Sequence, residues 1–238
     1  MEEMARKKQP DFNFDMNFLN ATLGVSEADF LEDDDAPEAA PEQQEKSVAA
    51  LRTKERHFER RVKSELALEQ TLPWHFENGS CYHCISFGDV DSLTYLRVII
   101  KQQPVEYVLL STWCMAITDA EEIKKWLDAG YLKRIDFYVG EIFVKQYAGV
   151  YQYILDNCLV DGARVAVFRN HSKVMAGFGR DFDFAIASSA NVNTNPRCEN
   201  TTITIDSAVA KFYKEFYDDI KSFSRDCDNW RKYEIEGR

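Results

Sequence analysis

The sequence has no apolar run long enough to span a bilayer, and its N-terminal bases are not followed by an apolar stretch. A transmembrane helix needs about 20 mostly apolar residues, and a secretory signal also needs an apolar core, so we predict neither. The six cysteines then fit best as free thiols in a reducing compartment. We therefore expect a cytoplasmic protein with no membrane partner.

A strong excess of basic charge is also missing. Residues 1–46 hold thirteen acidic and four basic residues, whereas the rest of the chain holds twenty-seven acidic and twenty-five basic residues. The net charge of −11 therefore belongs mainly to a tail, and the body is close to neutral. A body with this charge balance is unlike a protein that binds nucleic acid through charge alone. The balance does not exclude a local basic groove.

The N-terminal third divides into two predicted segments. Residues 1–45 are predicted to form an acidic disordered tail, because acids and prolines dominate EADFLEDDDAPEAAPEQQE. Within this tail, DFNFDMNFLNATLGV is either one more disordered stretch or a docking peptide for a protein partner. Residues 46–72 contain no glycine or proline and are rich in helix formers, which predicts a charged amphipathic helix or linker.

From residue 73 to residue 238, predicted strands and helices alternate. Strands are predicted over residues 105–112, 134–140, 163–168, 171–178, 183–189 and 200–206. Helices are predicted from a cap at Asp89 or Asp91 to Gln103, over ITDAEEIKKWLDAG, up to about Leu155, and after a cap at Asp206 or Ser207. This alternation predicts an α/β domain with a mixed sheet between helices. Very short gaps between the late strands predict that part of the sheet is antiparallel.

Five polar residues near the end of the chain form a pattern suited to phosphate chemistry. His171 and Lys173 share one face if they lie on a strand, and they offer a nucleophilic imidazole and an ammonium. Ser189 and Asn191 have the same spacing and offer a hydroxyl and an amide as neutral donors. Glu199 begins the next predicted strand, where its carboxylate could accept the second ring N–H of His171 and fix its tautomer.

This pattern resembles the phospholipase D-like superfamily, whose half-motif is His-x-Lys, four residues, Asp, six residues, then Gly-Ser-x-Asn. His171-Ser172-Lys173 matches the first part, and Ser188-Ser189-Ala190-Asn191 matches the second, with Ser188 where glycine is usual. The later Glu199-Asn200 is similar to that of the superfamily's single-motif bacterial endonucleases. The resemblance implies phosphate-binding roles for Ser188, Ser189 and Asn191.

The acidic position of the half-motif is displaced in this sequence. The usual spacing from Lys173 ends on Phe178, which cannot replace a carboxylate. The usual spacing back from the Ser-Ser-x-Asn ends on Asp181, which is therefore the candidate, with Asp183 as a weaker substitute. The extra residues fall at AGFGR, where two glycines predict a longer turn.

The resemblance implies a phosphodiesterase that forms a phosphohistidine on His171 and needs no metal or other cofactor. The family uses two histidines, and the remaining ones here, His57, His75 and His83, are in no His-x-Lys setting. A homodimer that brings two copies of His171 together is therefore implied.

Three functions remain open at this point. A nuclease of phage or mobile-element type is expected before a lipid-cleaving enzyme, because no membrane-binding segment is predicted. The alternatives are a catalytically impaired module that binds phosphate or nucleic acid, and a scaffold that docks partners through its acidic tail.

Other candidate residues have weaker patterns. Cys81 and Cys84 have a zinc-ligand spacing, but no second Cys or His pair follows, so two buried thiols are the alternative. Ser111 and Trp113 follow a predicted strand and either line a substrate groove or pack in the core. Three arginines flank the motif strands and either contact a polyanion or lie singly on the surface: Arg164, Arg169 and Arg180.

Overall fold

The computed structural model describes residues 65–87, 90–160, 162–193, 197–224 and 229–235. The predicted acidic tail, residues 1–45, and most of the predicted helix 46–72 lie outside these residues. No helix in the described ranges is both long and apolar enough to cross a membrane.

Strands and helices alternate over most of the described chain. The strands are β1 (Cys81–Phe87), β2 (Val105–Thr112), β3 (Leu132–Gly140), β4 (Val165–Phe168), β5 (Val174–Gly179), β6 (Asp183–Ser188) and β7 (Cys198–Thr204). The helices are α1 (residues 65–71), α2 (Ser92–Gln102), α3 (Ile117–Asp128), α4 (Phe143–Gln146), α5 (Ala148–Asn157) and α6 (Ser207–Asp218).

The strands form one sheet in the order β1-β7-β6-β5-β2-β3-β4. The strands β2, β3 and β4 are parallel, whereas β5, β6, β7 and β1 follow as antiparallel neighbours. The prediction of an α/β fold with a mixed sheet flanked by helices is confirmed. Strand β1 was not predicted, and this edge strand buries none of its residues fully.

The sheet separates two apolar clusters. On β2, Val108 and Leu110 face one cluster, which also holds side chains of α2, α3 and α5. Tyr107 and Leu109 face the other cluster, beneath α6 and the C-terminal segment, residues 229–235. This alternation follows from the two-residue period of a strand and explains why the β2 sequence is almost continuously apolar.

Helix ends follow the capping chemistry that the sequence indicates. The Asp91 carboxylate accepts a hydrogen bond from Thr94 N at 2.7 Å and caps α2. Asp206 caps α6 in the same way, accepting from two backbone N–H groups. Beyond α3, Gly130 has a φ of +73°, a left-handed conformation that glycine adopts without strain.

Two of the three arginines proposed to contact a polyanion have other roles. The Arg164 side chain is buried, donates to Ile220 O at 2.9 Å and lies 4.2 Å from the Trp230 ring centroid. Arg180 lies in the turn between β5 and β6 and pairs with its neighbour Asp181. Only Arg169, which is exposed and follows β4, is left as a candidate.

The two glycines after Met175 do not form the predicted longer turn. Strand β5 continues through both of them to Gly179. A Cβ on Gly177 would collide with the Phe184 ring, and one on Gly179 would collide with the Gln103 side chain. These glycines therefore allow close packing over a regular strand rather than bending the chain.

Four buried tyrosines should lower the stability of the folded state at alkaline pH. Burial raises the pKa of Tyr95 to about 12, and it also raises the pKa of Tyr107, Tyr138 and Tyr217. Tyrosines of an unfolded chain ionise near pH 10, so the folded state retains more protons above that pH. Protonated, buried tyrosines therefore stabilise the folded state fully below about pH 10, and this stabilisation is lost as the pH rises through about 12.

Absorbance at 295 nm, recorded with circular dichroism during an alkaline titration, tests this expectation. These tyrosines should ionise together with cooperative unfolding. Reversible ionisation of every tyrosine near pH 10, with the fold intact, would contradict it.

Candidate active site

The residues of the proposed motif lie where several strands of the sheet begin or end. We call this end of the strands the site edge, as distinct from the outermost strands β1 and β4. Val174, the first residue of β5, pairs with Ser111 near the end of β2 and with Ala187 near the end of β6. The chain before β5, the chain after β6 and the start of β7 therefore meet at this edge. His171 and Lys173 precede β5, which corrects the predicted strand 171–178.

His171 and Lys173 are in direct contact. Lys173 Nζ lies 3.3 Å from His171 Nδ1 and 3.4 Å from Nε2, and it donates to the His171 carbonyl oxygen at 3.0 Å. The His171 side chain is exposed and Lys173 is half-buried. An imidazole and an ammonium thus face solvent together, as the predicted phosphate-binding pair requires.

Ser189 and Glu199 form a second contact at the same edge. The Ser189 hydroxyl donates to the Glu199 carboxylate, and it accepts from Asn200 N at 3.0 Å. Lys173 O accepts from Ser188 N at 3.0 Å, which joins this pair to the segment that carries His171. Ser188 itself turns toward β7, where its hydroxyl lies 2.7 Å from Thr201 Oγ1.

The structure gives Glu199 a different partner from the predicted one. Its carboxylate accepts from Ser189, and among the described residues no hydrogen bond joins it to His171. The contacts of the His171 ring are instead with Lys173 and with Trp113, whose ring centroid lies 5.0 Å away. A tautomer-fixing role for Glu199 would thus require a rearrangement of its side chain.

Asn191 places a polar group at the edge with no partner. Its Oδ1 is buried and makes no hydrogen bond within the described ranges, while its backbone carbonyl accepts from Ser92 Oγ at 3.0 Å. An unsatisfied buried polar atom is costly, and a bound water or ligand removes that cost. Because Oδ1 is an acceptor, a donor such as water would satisfy it, whereas the Asn191 amide nitrogen is the atom that could donate to a phosphate oxygen.

The structure does not bring Asp181 to this cluster. Asp181 follows β5, whereas Lys173 precedes it, so about 20 Å of strand separates them. Its alternative, Asp183, is buried at the same distant edge, where it accepts from the Ser207 hydroxyl. Phe178, at the usual acidic position, is buried beside Tyr107 at a ring separation of 6.2 Å. Neither carboxylate lies where it could contact a ligand held by His171.

A buried asparagine anchors the segment before His171. Asn170 Nδ2 donates to Ser111 Oγ, Thr112 O and Tyr138 O at 3.0, 3.3 and 2.9 Å. Its Oδ1 accepts from Ser172 N at 2.9 Å and from Ser172 Oγ at 2.6 Å. One side chain thus ties the ends of β2 and β3 to both sides of His171. Asn170 was not predicted as a site residue, because it belongs to no motif with a recognisable spacing.

The two cysteines with a zinc-ligand spacing are poorly arranged to bind zinc. Cys81 and Cys84 lie three residues apart on β1, so their side chains point to opposite faces. Burial raises the pKa of the Cys84 thiol, which disfavours the thiolate that binds metal. Within the described ranges, no group of three or more His, Cys, Asp and Glu is placed to hold a metal ion.

No second histidine of the described chain reaches His171. His83 pairs with Thr202, Thr202 with Ala187, and Ala187 with Val174. Three inter-strand spacings, about 14 Å, therefore separate His83 from the start of β5. His75 lies in the loop before β1, at the opposite sheet edge. His57 lies outside the described residues.

Comparisons with known proteins give partial likenesses. A scan against protein-family models and a search of curated proteins gave no match. Twenty-three chains of solved structures match. Polyphosphate kinase from Porphyromonas gingivalis is 13% identical with a TM-score of 0.46, over 61% of this chain and 27% of that one. Phosphatidylserine synthase from Haemophilus influenzae Rd KW20 is 16% identical with a TM-score of 0.41, over 58% and 38%. The match thus spans well under half the length of either protein.

Proposed function

We propose that this chain is a phospholipase D-like phosphodiesterase, of nuclease type, that acts through a phosphohistidine at a homodimer interface. One observation carries the proposal. Three segments separated in sequence bring His171, Lys173, Ser189, Asn191 and Glu199 to one sheet edge. An imidazole beside an ammonium supplies a nucleophile and a positive charge for attack on a phosphodiester, and the Asn191 amide nitrogen supplies a neutral donor nearby.

In the proposed first step, a ring nitrogen of His171 attacks phosphorus and forms a P–N bond. The P–O bond to the leaving group breaks, and the leaving oxygen takes a proton from a second, protonated imidazole. The ammonium of Lys173, which lies 3.3 Å from His171 Nδ1, stabilises the charge on the non-bridging oxygens.

In the proposed second step, the same second imidazole removes a proton from water as the water attacks phosphorus. The P–N bond breaks, which releases the phosphate product and restores both histidines. His75 and His83 do not lie within reach of His171, and His57, outside the described residues, is in no His-x-Lys setting. We therefore assign the second imidazole to His171 of a second copy. The homodimer is therefore part of the proposed mechanism rather than an addition to it.

A cleavage assay in EDTA tests the proposed function. Full-length wild type and His171→Ala are each incubated with plasmid DNA and with an oligonucleotide. We expect cleavage by wild type and none by the variant, because a covalent mechanism cannot proceed without its nucleophile. Equal cleavage by both proteins would overturn the assignment of His171.

Mixed dimers are expected to reveal the shared site. When wild type and His171→Ala are unfolded together at equal concentration and refolded, random pairing makes about a quarter of the dimers wild type on both sides. Activity per total chain should then fall to about one quarter of wild type, since mixed dimers lack one histidine. A value of about one half, as for independent subunits, would contradict a shared site.

A second candidate is a module that binds phosphate or nucleic acid without turnover. The observation that favours it is the hydrogen bond from Ser189 to Glu199, because His171 then has no carboxylate partner among the described residues. Oligonucleotide binding by wild type that depends on Lys173, with no cleavage by a dimeric protein, would favour this candidate. The scaffold function predicted for the acidic tail concerns residues outside those described.

A further inference from the structure

Trp113 lies where the proposed substrate would approach His171. It directly follows β2, and its ring centroid is 5.0 Å from that of His171, with the planes inclined by 58°. The indole is half-buried, so part of it is open to solvent.

The position of this indole depends on a glycine at the end of β3. A Cβ on Gly140 would lie 2.7 Å from Trp113 Cδ1 and 3.1 Å from Asn170 O. Both contacts are too close for any residue other than glycine without a shift of the ring or of the segment before His171. The absence of a side chain at Gly140 therefore lets the indole lie against the strand end, beside the nucleophile.

Resting on the phosphodiesterase function proposed above, we propose that Trp113 is a stacking surface for a nucleobase next to the scissile phosphate. Every nucleobase has a flat face that stacks on an aromatic side chain, whatever the sequence. In a duplex these faces are already stacked on neighbouring base pairs. The substrate class is therefore single-stranded nucleic acid, bound with one base on Trp113 and the adjoining phosphate at His171 and Lys173.

The charge at this edge is mixed. Lys173 lies at the centre, exposed Arg169 follows β4, and half-exposed Arg197 precedes β7. Four acids also lie at this edge, exposed or half-buried Glu141 and Glu199 and buried Asp91 and Asp119, so there is no local excess of positive charge. Stacking would then supply affinity that charge alone does not.

Two single-stranded oligonucleotides of equal length provide the test. One carries bases, and the other carries a tetrahydrofuran spacer at every position, so both have the same phosphates. We expect full-length wild type in EDTA to bind the first about tenfold more tightly. Trp113→Ala should lose this preference, and Trp113→Phe should retain part of it because phenylalanine also stacks.

Trp74→Ala is the matched control. Trp74 is 88% exposed and lies in the loop before β1, at the opposite sheet edge. This variant should keep the full preference for the oligonucleotide with bases, whereas loss of the preference in Trp74→Ala would place the stacking surface elsewhere.

The possible outcomes separate this inference from the proposed function. Equal affinity of wild type for the two oligonucleotides, or tighter binding of duplex, would overturn the role of Trp113. If wild type also cleaves the base-free strand, the phosphodiesterase function stands. Cleavage of a glycerophosphodiester headgroup but of no oligonucleotide would likewise overturn the substrate class alone. Failure to cleave any phosphodiester would overturn the proposed function, and a lasting preference for bases would then show Trp113 acting in a binding module.

Discussion

Replacing Lys173 by alanine should lower kcat/KM for phosphodiester cleavage by roughly 10²–10³-fold, because removing one preorganised donor to the developing charge has this effect in enzymes. Lys173 Nζ contacts both the His171 ring and the His171 carbonyl oxygen. It therefore lies close enough to donate to the non-bridging oxygens of a phosphate that His171 attacks. Lys173→Arg should give an intermediate rate, since arginine keeps the charge but has a different donor geometry. Initial rates with an oligonucleotide in EDTA measure both effects.

Lys125→Ala is the matched control for this prediction. The Lys125 side chain is 73% exposed on α3, away from the site edge, and it loses the same charge. Its rate should stay close to that of wild type. An equal fall in kcat/KM for both variants would indicate a general effect of net charge, and an unchanged rate for Lys173→Ala would remove Lys173 from the site.

Replacing Asn170 by alanine should lower the free energy of unfolding by about 3 kcal/mol or more. Its buried amide makes five hydrogen bonds, and its loss leaves Tyr138 O and Ser172 N without these partners. Each buried polar group that loses its partner costs about 1–3 kcal/mol, reduced where the chain can relax. Equilibrium unfolding in urea gives the change directly.

Asn157→Ala provides the comparison for Asn170→Ala. Asn157 ends α5 and donates one hydrogen bond, to Tyr153 O at 3.0 Å, from a half-buried position. Its replacement should cost about 1 kcal/mol or less. If the two variants unfold at the same urea concentration, Asn170 does not anchor the segment before His171 in the way that its contacts indicate.

Local sequence chemistry was enough to predict the class of fold and most of its elements. The run VEYVLLST was predicted to be a buried strand, and it is β2. Asp91, one of the two predicted caps, does cap α2, because its short carboxylate can accept from a backbone N–H of the first turn. The His-x-Lys and Ser-x-Asn spacings predicted pairs that share one face of a strand. The structure instead has these four residues just before β5 and just after β6, where the two antiparallel strands bring their ends together.

What the sequence could not provide depends on contacts between distant residues. The two glycines before Arg180 indicated a turn, but their reason is the space that Phe184 and Gln103 occupy. Asp181 was chosen by counting back from Ser188, and a turn at the glycines was needed to bring it near Lys173. The continuous strand β5 instead carries Asp181 to the far end of the sheet. The anchoring by Asn170 links it to Ser111 and Tyr138, and no local pattern records bonds between residues so far apart in the chain.

The most direct test of the central claim is to trap the covalent intermediate. Full-length wild type is mixed in EDTA with an oligonucleotide radiolabelled at its internal phosphates, and the reaction is stopped in denaturant at alkaline pH. We predict label on the protein that is stable in base, labile in acid, mapped to His171 and absent from His171→Ala. Turnover by wild type without any labelled protein, or label on a residue other than His171, would contradict it.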